Sequence, residues 1–126
     1  MSRPSAKDLT QRELDVMHVF WKEGTLTAQD VRDHLAVGGL ELTYTTVATL
    51  VRILHEKSFI KQLNDERPFT YAAAKSYEKV TSRLLGDVLD RVFGGSREQL
   101  LMRLFEQGQL TKQERAVLKT ILEEEP

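Results

Sequence analysis

Cysteine is absent from all 126 residues, which removes disulfides, thiolate metal ligands and thiol nucleophiles together. No apolar run approaches the roughly 20 residues that a bilayer span requires. The start, Met1-Ser2-Arg3-Pro4, carries no apolar export segment. The expectation is a cytoplasmic protein without membrane insertion. Also missing are a Gly-rich phosphate loop, a G-x-S-x-G elbow and an H-E-x-x-H pair. His18, His34 and His55 fall on three separate predicted helices, where isolated imidazoles are ordinary surface or half-buried groups more often than ligands. Asp65-Glu66 and Glu123-Glu124-Glu125 read as a solvated turn and a solvated tail. No enzyme, cofactor or metal site is therefore expected. Basic excess is lacking too: the formal net charge is −1. Any contact with a polyanion must rest on where charge is placed, not on its sum.

What is present is the composition of a folded protein, 40% hydrophobic and 29% charged, at a length suited to one domain or a small domain with an appendage. Four segments open with a hydroxyl residue followed three positions later by an acid or amide: Thr10/Glu13, Thr27/Asp30, Ser96/Gln99 and Thr111/Glu114. That spacing satisfies the free N–H groups of a helix start. The first predicts a helix over about 11–23 with Leu14, Val16, Met17, Phe20 and Trp21 on its buried face. The second predicts a helix near 28–36, stopped by Gly38-Gly39. Thr43 then opens a third over about 44–57, with Val47, Leu50, Val51 and Leu54 inward.

The period next falls from 3.6 to 2, placing Phe59, Lys61 and Leu63 on one side, then Phe69, Tyr71 and Ala73 beyond a turn at Asn64-Asp65-Glu66-Arg67-Pro68. This reads as a β-hairpin, with Leu26 able to add a short third strand. The fold class expected is mostly α with a small β-hairpin: a winged helix-turn-helix over residues 1–74 and a three-helix segment over 75–126. Helices are expected there at about 77–93, 97–107 and 112–124. Their apolar residues, Leu85, Leu89, Phe93, Leu100, Leu101, Leu104, Phe105, Leu118, Ile121 and Leu122 among them, exceed what so short a segment can bury alone. A homodimer built on them follows.

The third helix carries the functional signal. At 100° per residue its outward stripe is Thr45, Thr49, Arg52 and Glu56. Threonine is a poor helix former, yet Thr43, Thr45, Thr46 and Thr49 crowd the first two turns. Base and phosphate recognition gives a reason: threonine supplies a hydroxyl and a methyl that meets thymine, and Arg52 pairs with guanine or phosphate. The helix start favours a phosphate near Thr43 to Thr45. Arg67 in the turn is placed to reach the backbone or minor groove, and Lys57 and Lys61 are candidate backbone contacts. Two other readings are a winged helix that binds protein and a regulator gated by a small ligand. The first should show exposed aromatic or aliphatic side chains on the outward stripe, which here is Thr, Thr, Arg and Glu.

Leu9-Thr10-Gln11-Arg12-Glu13-Leu14-Asp15-Val16-Met17 with Trp21, then Tyr44-Thr45-Thr46-Val47-Ala48-Thr49-Leu50-Val51-Arg52-Ile53-Leu54-His55-Glu56-Lys57, and finally Phe93-Gly94-Gly95-Ser96, resemble the BlaI/MecI/CopY family of bacterial repressors over nearly the whole chain. The resemblance implies a homodimer on promoter inverted repeats, typically with TACA/TGTA half-sites, with Thr45, Thr46, Thr49 and Arg52 as recognition residues. It further implies a membrane-linked sensor protease as a partner, cutting at a position occupied here by Arg103-Leu104 in place of Asn-Phe. The C-terminal cysteines of the copper-responsive members are absent. Ser58 stands where a Gly usually follows the recognition-helix Lys, and the wing carries Asp65-Glu66.

Overall fold

A computed structural model describes residues 8–124. The elements run α1 (Gln11–Glu23), β1 (Leu26–Thr27), α2 (Ala28–Val37), α3 (Tyr44–Glu56), β2 (Ile60–Gln62), β3 (Thr70–Ala73), α4 (Tyr77–Phe93), α5 (Arg97–Glu106) and α6 (Lys112–Glu123). The predicted caps organise the helix starts. Thr10, Thr27 and Thr111 each accept from the backbone N–H three residues on, and Glu13, Asp30 and Glu114 reach back to the cap's own N–H. Ser96 accepts from the N–H of Gln99 at 3.1 Å.

The described residues divide after Val80 into two units. In the first, Val16, Met17 and Phe20 of α1 meet Val31 and Leu35 of α2 and Val47, Val51 and Leu54 of α3 in one buried core. The sheet has the order β1-β3-β2 and is antiparallel, with Leu26 opposite Tyr71 and Ile60 opposite Ala73. Residues 75–80 belong to this unit and not to the helices after it, for reasons visible in their bonds. The Trp21 indole N–H donates to the Lys75 carbonyl at 2.9 Å. The Tyr77 ring meets Trp21 edge-on at 5.2 Å, and Val80 is buried. The first turn of α4 is thus welded to α1, and the division falls after Val80, beyond Ala74.

Three side-chain expectations are corrected. Leu14, Trp21 and Leu50 are half-buried and stand at the margin of the core. In the hairpin the inward residues are Phe59 and Ile60, while Lys61 and Leu63 face solvent. The cause is the exit from α3, where the Phe59 N–H donates to the Leu54 carbonyl at 3.0 Å. Phe59 therefore belongs to the helix terminus, and the two-residue alternation begins one position later. Lys57, expected near the nucleic acid, is committed internally. Its ammonium lies 2.7 Å from Glu13 Oε1 and donates to the Asp8 carbonyl at 2.9 Å. Glu13 is the one buried charged side chain in the described core, and its Oε1 also accepts from the Thr10 N–H at 3.2 Å.

The second unit, from Thr81 onward, is built differently. Gly94 (φ 58°) and Gly95 (φ 83°) carry the chain from α4 to α5 through two successive left-handed residues, a conformation costly for any side chain with a Cβ. No residue of α5 or α6 is buried. Leu85, Leu101, Leu104, Phe105, Ile121 and Leu122 are exposed, and Leu89, Phe93, Leu100 and Leu118 are half-buried. No described helix is long and apolar enough to cross a membrane.

Replacing Lys57 with Met keeps the stem and removes the charge, leaving Glu13 buried and unpaired. The domain is expected to lose about 3 kcal/mol, seen as a fall in melting temperature of ten degrees or more. Melting indistinguishable from the parent would show that the pair contributes nothing.

Candidate nucleic-acid interface

α3 is presented by a turn with a defined hydrogen-bond pattern. At the end of α2 the Gly39 N–H donates to Ala36 O (3.0 Å) and the Leu40 N–H to Leu35 O (2.9 Å), with Gly39 at φ 96°. These are the two bonds of a Schellman stop, which needs a left-handed residue. Arg32 holds the far side of the turn, its Nε donating to Leu42 O at 3.1 Å. α3 follows α2 after this short turn and packs against it, the order of a helix-turn-helix.

Thr43 is the N-cap of α3. Its Oγ1 accepts from the Thr46 N–H at 3.2 Å, and its hydroxyl lies 2.9 Å from that of Thr46. Thr49 back-bonds to the Thr45 carbonyl at 2.9 Å, which leaves its methyl free toward solvent. Thr43, Thr45, Thr46, Thr49 and Arg52 are all exposed. Arg52 reaches one turn on to Glu56, with Nη1 and Oε1 2.8 Å apart. Among the described helices α3 is distinguished at its start. Glu13, Asp30, Glu78, Glu98 and Glu114 occupy the first turns of the others, whereas no acid lies in the first turn of α3. Its positive dipole end is not offset by an acid within its first turn.

The hairpin turn is ordered by Asn64. Its amide Nδ2 donates to Glu66 O (2.9 Å) and Pro68 O (3.2 Å), and its Oδ1 accepts from the Thr70 N–H at 2.8 Å. The turn sets Arg67 over the Phe69 ring, 5.5 Å from its centroid. Arg67 and Phe69 form one wall of an open groove of about 600 Å³, whose other walls are the starts of α2 and α3, through Ala28, Gln29, Tyr44 and Ala48. The structure therefore sets Arg67 of the wing in one groove with the first half of α3. The sequence reading missed Gln29, Tyr44 and Asn64. Tyr44 stood within the quoted motif, but its proximity to Arg67 depends on the α2–α3 turn and leaves no spacing signal.

The three histidines do not assemble. His55 packs on Tyr71 at 5.8 Å and His18 on Trp21 at 5.4 Å. Among the described residues no three His, Asp or Glu side chains gather as metal ligands. Arg103 and Leu104 lie in the regular backbone of α5, both exposed, with Arg103 paired to Glu106 at 2.9 Å.

A three-helix core, a second helix of a helix-turn-helix turned to solvent and a β-hairpin wing beside it define the winged-helix class of DNA-binding repressor folds. The chain matches the penicillinase repressor family over residues 9–124, and it belongs to that family. It is similar to the penicillinase repressor of Staphylococcus aureus, 22% identical over 115 residues that span 91% of this chain and 90% of that one. It is also similar to the transcriptional regulator BlaI of Mycobacterium tuberculosis (strain ATCC 25618 / H37Rv), 28% identical over 100 residues, 79% and 70% of the two chains. In fold it resembles the solution structure of the DNA binding domain of the repressor BlaI, with a TM-score of 0.51 and 21% identity over 61% of this chain and 93% of that one.

The junction between recognition helix and wing carries a measurable cost. Ser58 sits at φ 68°, in a second Schellman stop formed by Ser58 N–H to His55 O and Phe59 N–H to Leu54 O, both 3.0 Å. Replacing Ser58 with Gly relieves the left-handed penalty and gives back part of it as unfolded-state entropy. The expected gain is about 0.5–1 kcal/mol, a rise of a few degrees in melting temperature. A lower melting temperature would mean that the Ser58 side chain makes a stabilising contact.

Proposed function

We propose that this transcriptional repressor acts as a homodimer on double-stranded promoter DNA, with α3 in the major groove of each half of an inverted repeat. The observation that carries the reading is the outward stripe of α3. Its threonines and Arg52 are exposed, its N-terminus lacks an acid, and Arg67 stands beside it on the wing. Thr45, Thr46, Thr49 and Arg52 present hydroxyls, methyls and a guanidinium to base edges and phosphates, and the free N–H groups beside Thr43 receive a phosphate. Arg67, steadied over Phe69, contacts the backbone next to them. This explains binding by a chain of slightly negative net charge: the local field at one helix start and two arginines replaces a general basic surface.

The dimer reading rests on the second unit. The exposed leucines, Phe105 and Ile121 of α4 to α6 are what a subunit interface built from a divided core would expose in one chain. Two-fold symmetry then sets the operator, with half-sites one helical turn, about 34 Å, or a multiple of it apart. No catalytic step is part of this function, in keeping with a family of repressors. Cleavage by a sensor protease between Arg103 and Leu104 demands that α5 unwind first, because both residues lie within its regular helical backbone.

An anisotropy titration against the gene's own upstream promoter and a scrambled duplex, at several salt concentrations, tests the whole reading. Tight binding to the promoter with two subunits per site, weakening steeply as salt rises, is expected; equal weak binding to both duplexes would refute it. Arg52→Ala should weaken promoter binding by about 1–3 kcal/mol while the dimer persists. Leu89→Asp should first yield monomers in sedimentation, because a charge then enters an apolar interface, with DNA affinity lost in consequence. Intact dimers of that variant would remove α4 from the interface.

A further inference from the structure

Glu56 has no place in the function so far, and helix energetics do not account for it. It is the last residue of α3, where the macrodipole disfavours an acid. Its partner Arg52 lies four residues toward the N-terminus, the weaker of the two orders for such a pair. Both side chains are about three-fifths exposed, at 61% and 60%, so in water the pair adds little to stability. Yet the pair is formed at 2.8 Å, on the stripe that also carries Thr45 and Thr49. The adjacent cation, Lys57, is engaged with Glu13 at 2.7 Å, so its charge is already balanced elsewhere.

On the reading that α3 enters the major groove, we infer that Arg52 and Glu56 act as one unit that reads a G·C base pair, making Glu56 a specificity-determining residue. The chemistry is a match of patterns. A G·C pair shows two acceptors, guanine N7 and O6, followed by a donor, the cytosine N4 amino group. A guanidinium fork beside a carboxylate shows two donors followed by an acceptor. An A·T pair places the adenine N6 amino group against the fork and the thymine O4 against the carboxylate, so donor meets donor and acceptor meets acceptor. Glu56 therefore rejects A·T as well as accepting G·C, which is how discrimination exceeds what one attractive contact supplies. It also restrains the fork of Arg52 before binding, lowering the ordering cost on the specific site.

The test is selection of bound duplexes from a pool of random sequence by the full-length protein and by Glu56→Ala, Glu56→Gln and Arg52→Ala. Affinities are then measured on the selected site with its G·C pair kept or changed to A·T. The parent protein is expected to prefer G·C at one position of each half-site by about tenfold or more. Glu56→Ala and Arg52→Ala should both reduce that preference to about threefold or less at this same position, leaving the other positions intact. Glu56→Gln, whose amide N–H can donate to thymine O4 where the carboxylate repels it, should admit A·T there more readily than the parent does. An unchanged preference in Glu56→Ala, or losses at different positions in the two alanine variants, would overturn the inference while DNA binding stands. A parent protein that selects no motif would overturn both the inference and the function beneath it.

Discussion

A recognition helix can present its outer face only if its inner face and both ends are held, and in this chain the end is held by the pair between Lys57 and Glu13. One residue follows the last turn of α3 and the other sits in the first turn of α1, forty-four positions apart in sequence. Their contact ties the end of α3 to the start of α1. The Glu13 carboxylate serves two partners at once, the Lys57 ammonium and the Thr10 N–H, while its backbone N–H donates to the Thr10 hydroxyl that caps α1. A buried carboxylate so fully engaged is tolerable where an unpaired one is not. The left-handed Ser58 comes immediately afterwards, so the direction of the wing is set against a fixed helix end.

The same anchoring decides which charges remain for a partner. Lys57 is consumed by the fold through its pair with Glu13, and the exposed Arg32 is directed to the Leu42 carbonyl at the turn before α3. Arg52 and Arg67 are left on the outer surface, each lightly held, one by Glu56 and the other over Phe69. Light restraint suits a side chain that must change partners: it limits the entropy lost on binding without the expense of breaking a buried ion pair. The net charge of the chain is a poor guide to such a surface, because attraction to phosphate is local and falls off within a Debye length.

The two units solve the problem of burial in different ways. The first closes its core within one chain, drawing the first turn of α4 in through Trp21, Tyr77 and Val80. The second leaves nearly all of its leucines in contact with water. Three helices of this length have too little interior to bury their apolar faces among themselves, and a second copy supplies the missing half in the homodimer proposed here.

Local rules made most of the architecture legible. Cap spacing, glycine stops and the change of period located every helix within a residue or two and found the hairpin, because each of those signals acts over three or four residues. The quoted motifs likewise identified α3 and its exposed threonines. What sequence could not supply were contacts between residues distant along the chain: Lys57 turned inward to Glu13, Trp21 bonded to Lys75 O, and Tyr44 set in one groove with Arg67. The hairpin register slipped by one for the same reason, since Phe59 is claimed by the carbonyl of Leu54 at the end of α3. By itself the sequence determined the helices, their order and the residues α3 turns outward. Only the tertiary structure decided which cations were spent on folding and which were left on the outer surface, because an ion pair forms where packing brings the groups together.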